Sequence, residues 1–372
     1  MRILVFDTSA HSLPWPLFLE ELGDLVRESP SRYAYTFVDE AQFLRPRSLT
    51  TRLVTRVLDW TTMNIADGRR RALAYRAATR VLHYRRHPVS YRDLNRELLE
   101  QACSFTPDMV LIVMGFHIDP GTLAAIKEET KAVLVNYATD DPFNGRVGTP
   151  QLMKSIPLYD LYLCTKRAIM DDVARAGCRD VRYLRFGFKP RVHFCEIPQT
   201  ADELKRFAAD IAFVGEGDAD RLPYFLTLAK ELPDVNLALY GGLWNRHPAT
   251  RRYFRGNVRG RDFRMALGGA KIAVNLIRRE NRDDHVMRTF EGPACGAFML
   301  NERTDEHLKL FEEGSEAAYF GSAEELVDKA RYYLAHDNER ERIRAAGYAR
   351  VMASGHAYKN RLIDILNAAL PN

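Results

Sequence analysis

Asp210-Ile-Ala-Phe-Val-Gly-Glu-Gly-Asp-Ala-Asp-Arg221, running on into Leu222–Leu232, sets the reading of the whole chain. The apolar run Asp210–Val214 has strand length and stops at Gly215. Leu222–Leu232 behind it carries its apolar residues at helical spacing. A strand, a turn of small residues and a helix, repeated, build a parallel sheet with helices on its faces. Downstream the unit recurs: Asn236–Tyr240 closes on Gly241-Gly242, and Lys271–Leu276 and Ala297–Leu300 are further strands. Upstream lie strand candidates Ile3–Phe6, Tyr35–Val38, Met109–Val113, Ala132–Asn136, Leu161–Cys164 and Val181–Leu184. Helical stretches Pro16–Glu28, Pro120–Lys131 and Lys166–Ala176 fall between them, with Gly177 at a C-cap.

Outward from these elements the chain divides. A first Rossmann-like domain spans 1–190, with one or two extra helices inserted from Ser48 to about Leu99. A linker covers 191–207, where prolines and mixed polarity interrupt the pattern, and a second Rossmann-like domain covers 208–372. Two α/β domains facing each other across a cleft are the simplest such architecture. Their ligands are sought in the loops after the strands. Glu339–Leu370 reads as a long amphipathic helix with Leu362, Ile365 and Leu366 on one face, able to cross back to the first domain.

The 372 residues are 46% hydrophobic and 28% charged, which excludes a disordered chain. The net charge of +5 is mild but unevenly placed. Arg45, Arg47, Arg52, Arg56, Arg69, Arg70, Arg71, Arg76, Arg80, Arg85, Arg86, Arg92 and Arg96 crowd one section. Arg69, Arg70 and Arg71 are candidates for an anionic membrane surface or a phosphorylated acceptor, against the plain alternative of a solvated helical face. No aromatic-interleaved basic motif accompanies them, so nucleic acid is not an expected partner. Five scattered cysteines without paired spacing fit reduced thiols and no zinc site. The start Met1-Arg-Ile-Leu-Val-Phe6 is strand-like, and no window approaches the ~20 apolar residues of a membrane span. A cytoplasmic protein, peripheral on the inner membrane face at most, is the expectation.

Chemistry is concentrated in a few loops. Gly215 and Gly217 let backbone amides approach a phosphate, and Arg221 can add a bidentate contact; the third glycine of a dinucleotide fingerprint is missing. In Arg288-Thr-Phe-Glu-Gly-Pro-Ala-Cys-Gly296, Arg288 and Glu291 share a helical face. They form either a carboxylate for ribose hydroxyls beside a phosphate-binding arginine, or a surface ion pair. Asp140 and Asp141 are either a general base for an acceptor hydroxyl or the cap of a turn before Pro142. His117, just past a strand, is either catalytic or a hydrogen-bonded structural residue.

Several motifs, in order, carry a resemblance. In the first half they are Pro107-Asp-Met-Val-Leu-Ile, Tyr137-Ala-Thr-Asp-Asp-Pro142, Asp160-Leu-Tyr-Leu-Cys-Thr165 and Arg185-Phe-Gly-Phe-Lys-Pro190. In the second they are Ile211-Ala-Phe-Val-Gly215, Leu239-Tyr-Gly-Gly242, Gly256-Asn-Val-Arg-Gly260, Lys271-Ile-Ala-Val-Asn275 and the Glu291 segment. Together they resemble the CgeB-type (spore-maturation-type) branch of the glycosyltransferases group 1 superfamily and, more distantly, family 4 retaining glycosyltransferases. The resemblance implies the GT-B fold and a nucleoside-diphosphate sugar as donor, without metal or cofactor. It implies a glycan, glycolipid or protein acceptor, as in cell-surface glycan synthesis. It places Glu291 on the donor ribose, Arg221 and Arg288 on the diphosphate, and His117 toward the donor sugar. Gly242, Trp244 and Val258 fall near the base. Two positions depart from it: Asp283 stands where family 4 has a second glutamate, and Glu216 replaces an arginine of the phosphate loop. A nucleotide-sugar epimerase or hydrolase of the same fold, or a non-catalytic carbohydrate-binding subunit, are the alternative readings.

Overall fold

The computed structural model describes residues 1–7, 17–40, 88–145 and 147–370. The chain forms two compact units, Met1–Leu184 with Leu362–Asn372, and Arg185–Arg361. Residues 191–207 fall inside the second unit, and their C-terminal part is helical. Among the described residues no helix is long and apolar enough to cross a membrane.

The first unit holds six parallel strands: β1 (Arg2–Asp7), β2 (Ala34–Asp39), β3 (Met109–Val113), β4 (Val133–Ala138), β5 (Leu161–Cys164) and β6 (Val181–Tyr183), in the order β2-β1-β3-β4-β5-β6. Every residue of β3 is fully buried, as a central parallel strand covered on both faces requires. Helices α1 (Leu19–Glu28), α2 (Pro88–Phe105), α3 (Pro120–Thr130) and α4 (Met170–Arg175) follow the strands. The run Lys166–Ala176 is not one helix, because a 3-10 turn at Arg167–Ile169 precedes α4. Helix α2 occupies the end of the arginine-rich section. There Arg96 pairs with Asp93 and Glu100 along an exposed face. Arg69, Arg70 and Arg71 lie outside the described residues.

The second unit is a five-stranded parallel sheet: β7 (Ala209–Val214), β8 (Leu237–Tyr240), β9 (Ala270–Asn275), β10 (Met299–Glu302) and β11 (Ala318–Phe320), in the order β11-β10-β9-β7-β8. Its helices include α5 (Ala201–Phe207), α6 (Leu222–Glu231), α7 (Arg261–Gly268), α8 (Arg288–Ala294), α9 (Ala323–Ala335) and α10 (Asp337–Ala353). Helix α5 starts at a capping box: Thr200 Oγ1 accepts from Glu203 N–H at 3.2 Å, and Glu203 Oε2 accepts from Thr200 N–H at 3.1 Å. The long C-terminal helix is two helices, α10 and α11 (Tyr358–Ala369), interrupted where Gly355 takes φ +68°. All five cysteines are free; Cys164, Cys178 and Cys295 are buried, Cys103 and Cys195 exposed.

Strand order fixes where ligands enter. From β7 the chain steps to β8 on one side, then to β9 on the other, so the loops after β7 and β9 diverge. The first unit does the same at β1 and β3. These are topological switch points, where open α/β sheets leave a crevice.

Candidate functional site

The loops after β7 and β8 are interlocked by their glycines. Gly215 N–H donates to Tyr240 O at 2.8 Å, and Gly217 N–H to Gly242 O at 2.9 Å. A Cβ at Gly217 would sit 2.6 Å from the Trp244 ring; one at Gly241, where φ is +117°, would sit 2.3 Å from Gly215 O. Those two amides are therefore bonded within the fold, loop to loop. Trp244 is enclosed as well. Its ring is 1% exposed, edge-on to Phe213 and Phe225, and its Nε1–H donates to Gly215 O at 2.7 Å. A nucleobase has no face of it to stack on. Val258 is half-buried against the cluster of Phe263 and Tyr240, while a Cβ at Gly242 would have open space, meeting only the Glu216 side chain at 3.9 Å.

Arg221, the residue before α6, is 3% exposed. Its Nη2 donates to Leu276 O at 3.2 Å, and Nη1 lies 3.4 Å from Asp218 Oδ2. Burial pulls its pKa down to about 10, partly offset by Asp218. Arg221 thus ties the loop after β7 to the end of β9. The more accessible guanidinium at this crevice is Arg278, with Nη2 3.1 Å from Glu216 Oε2 and Nε 3.2 Å from Asp218 Oδ2. The sequence reading passed over Arg278. Glu216 standing in an arginine's place was the available signal, since an acid there calls for a base opposite. Asp283 closes its own loop, accepting from Arg278 N–H at 3.3 Å and from Asn281 Nδ2 at 2.9 Å.

Helix α8 carries the remaining groups and is anchored from beneath. Thr289 Oγ1 bonds His307 Nε2 at 2.8 Å and accepts from Asn275 Nδ2 at 3.3 Å, which also donates to Asn301 Oδ1 at 3.0 Å. Phe290 and Ala294 are fully buried, and Gly292 leaves room for Met299. On this fixed helix Glu291 is 3% exposed, and burial raises its pKa to about 7, with Arg288 opposing the rise. Among the described residues, no hydrogen bond reaches the Glu291 carboxylate. The half-buried guanidinium of Arg288 likewise has no hydrogen bond or ion pair among them; burial lowers its pKa, with Glu291 pulling the other way. The surface ion pair considered from spacing alone is therefore absent. The closest group to Glu291 Oε1 is one the sequence did not point to, His193 Nε2 at 3.6 Å.

At the first-unit crevice, His117 Nδ1 lies 2.6 Å from Oε1 of the buried Glu40, and Tyr91 stacks on the imidazole at 4.1 Å. Its carbonyl accepts from Asn95 Nδ2 at 2.9 Å. The carboxylate fixes the proton on Nδ1 and makes Nε2 the basic nitrogen. Asp141 is 2% exposed and Oδ1 accepts from Phe143 N–H at 2.9 Å, a cap of the turn at Pro142; Asp140 is half-buried, its backbone N–H on Met114 Sδ at 3.3 Å. Among the described residues no three His, Cys, Asp or Glu side chains gather as ligands of one metal ion.

Residues 221–367 match the family model described as glycosyl transferase-like. No curated protein matches the chain. Among solved structures, Anabaena HepE in complex with UDP-glucose is similar over 100% of both chains, at 13% identity and a TM-score of 0.62. A glycosyltransferase from Rickettsia africae is similar over 100% of this chain and 99% of its own, at 10% identity and 0.62. Sucrose-phosphate synthase from Thermosynechococcus elongatus covers 99% and 98%, at 10% identity and 0.60. At such identities the likeness is one of fold, two Rossmann-like units arranged in sequence as in these enzymes. The chain has the GT-B fold, and its glycosyl transferase-like segment contains Arg221, Arg278, Arg288 and Glu291.

Proposed function

We propose that the chain is a glycosyltransferase of the spore-maturation-type branch, holding a nucleoside-diphosphate sugar at the β7/β9 crevice and passing the sugar to an acceptor hydroxyl. One observation carries this reading: the side chains of Glu291, nearly buried, and Arg288 beside it make no hydrogen bonds among the described residues. A desolvated carboxylate without donors is costly unless a ligand supplies them. Two vicinal ribose hydroxyls would, and a diphosphate would meet Arg288 and, by competing with Glu216 and Asp218, Arg278. The HepE structures hold UDP or UDP-glucose, which favours the same class of ligand here. In the transfer, the bond from the anomeric carbon to the diphosphate breaks, the acceptor oxygen bonds to that carbon, and the acceptor's proton passes to a base. The Glu40–His117 pair is a base of the required kind. The resemblance favours retention instead, and the anomeric configuration of the product decides between the two courses.

A thermal-shift screen with UDP, GDP, TDP and CMP and their sugars identifies the base, since ligand binding raises apparent stability by mass action. Calorimetry with the best diphosphate then tests the site. Glu291→Ala and Arg288→Ala should each weaken binding by about tenfold or more, the scale of a lost charge-assisted hydrogen bond. Arg221→Ala is the poorer probe, because it leaves Asp218 buried beside an empty space. Unchanged affinity in both folded variants would defeat the assignment. Turnover of donor without acceptor would point to an epimerase or hydrolase.

A further inference from the structure

We infer that His193 is a positioning residue for Glu291: its Nε2–H holds one carboxylate oxygen so that the other faces the ribose. The inference rests on the function proposed above and adds a residue to that site. The segment Lys189–His193 is a closed turn in which Val192 N–H and His193 N–H both donate to Lys189 O, at 2.9 and 2.7 Å. The turn is completed by the imidazole itself, because Lys189 N–H donates to His193 Nδ1 at 3.0 Å. A backbone amide can only donate, so Nδ1 must present its lone pair and the ring hydrogen must sit on Nε2. That hydrogen is on the side of Glu291, whose Oε1 is 3.6 Å from Nε2, with the His193 side chain fully buried and the Glu291 side chain 5% exposed.

The geometry suits positioning better than packing. At 3.6 Å the contact is longer than a made hydrogen bond. A displacement of Oε1 by less than an ångström closes it, and Glu291 would make that shift on receiving hydroxyls at its other oxygen. His193 is also held neutral: burial, then Lys189 and Arg264, pull its pKa down to about 3. It therefore orients the carboxylate as a dipolar donor and leaves the negative charge undiminished for the ligand. Phe263, at 5.9 Å between ring centroids, packs against the imidazole and limits its tilt.

The experiment compares UDP with 2′,3′-dideoxy-UDP by calorimetry, using the base that gives the largest thermal shift if that is not uracil. Wild type should favour the ribose form by about tenfold or more, and Glu291→Ala should abolish the preference. His193→Asn keeps an acceptor near Lys189 N–H but is too short to reach Glu291; it should lower the preference at least several-fold while dideoxy affinity stays level. His193→Gln, whose amide reaches the Nε2 position, should recover part of it. If wild type and Glu291→Ala behave as stated but His193→Asn keeps the full preference, the role of His193 is overturned and the ribose grip stands. If wild type does not distinguish the two nucleotides, the ribose grip falls and His193 with it. Should His193→Asn not fold, 15N shifts of labelled histidine in the wild-type protein read the same point. A protonated Nε2 that moves on UDP addition supports the role, and one that does not move refutes it.

Discussion

The two switch-point crevices are built alike by topology and differ in how their polar groups are used. In the first unit several polar side chains of the strand ends and loops bond to backbone. Asp141 caps Phe143, Lys166 Nζ donates to Thr139 O at 2.8 Å, and Asn136 Nδ2 donates to Met114 O at 3.0 Å. In the second unit Glu291 and Arg288 stand on a rigidly anchored helix with no such bonds, and the Glu291 carboxylate is burdened by its own burial. Satisfied polar groups hold a loop in shape; unsatisfied ones on a fixed scaffold cost stability, a cost that the ligand proposed above would offset. The glycines of the second unit belong to the first kind, since they close loop on loop.

The largest effect that can break this contrast is at Gly241. Alanine there needs a Cβ 2.3 Å from Gly215 O at a φ of +117°, so Gly241→Ala should cost roughly 3 kcal/mol or more in urea unfolding. If the glycine loop were instead a phosphate cradle, the loss would fall on nucleotide affinity with stability intact. Next comes Glu291→Gln in the ligand-free protein. The folded carboxyl has a pKa of about 7 against 4.5 for the free group. The folded state thus binds the proton more tightly, and the stability this gives is full below about 4.5 and lost as pH rises through about 7. At pH 8 wild type bears the ionised, buried carboxylate, and Glu291→Gln should be more stable by about 3 kcal/mol, at 1.4 kcal/mol per unit. The gap should close toward pH 4.5. A variant less stable than wild type at pH 8 would show that Glu291 is bonded for structure, like Asp141.

The alternation of apolar runs with helical stretches made ten of the eleven described strands legible to within about two residues, because a parallel sheet buried on both faces writes its strands as short apolar runs; the three-residue edge strand β11 (Ala318–Phe320) was too short to stand out. Helix ends were less legible. The break at Gly355 lay inside an uninterrupted amphipathic pattern, and Thr200-x-x-Glu203, a readable capping signature, went unread within an expected linker. In the second unit, spacing put Glu291 and Arg288 on one helical face and left open whether they pair with each other or with a ligand. Trp244 could not be placed, since nothing local says that Phe213 and Phe225 will close around its ring. Glu40 is 77 residues from His117, and His193 is 98 residues from Glu291 by their numbers. Contacts at that separation are made by the fold and leave no trace in periodicity.

The smallest effect bears on the first crevice. Asp141 Oδ1 receives Phe143 N–H at 2.9 Å in a buried turn, so Asp141→Ala should cost about 1 kcal/mol, the net worth of one such bond. Asparagine retains the accepting oxygen, and Asp141→Asn should unfold within a few tenths of a kcal/mol of wild type. The same variant cannot accept a proton from an acceptor hydroxyl. A general base is worth about 100-fold or more in rate. If Asp141 only shapes its turn, Asp141→Asn keeps transferase activity within a few-fold. A hundredfold loss at unchanged stability would make it the base and move that role away from His117. The outcome decides whether the first crevice stores any charge for the reaction beyond the Glu40–His117 pair.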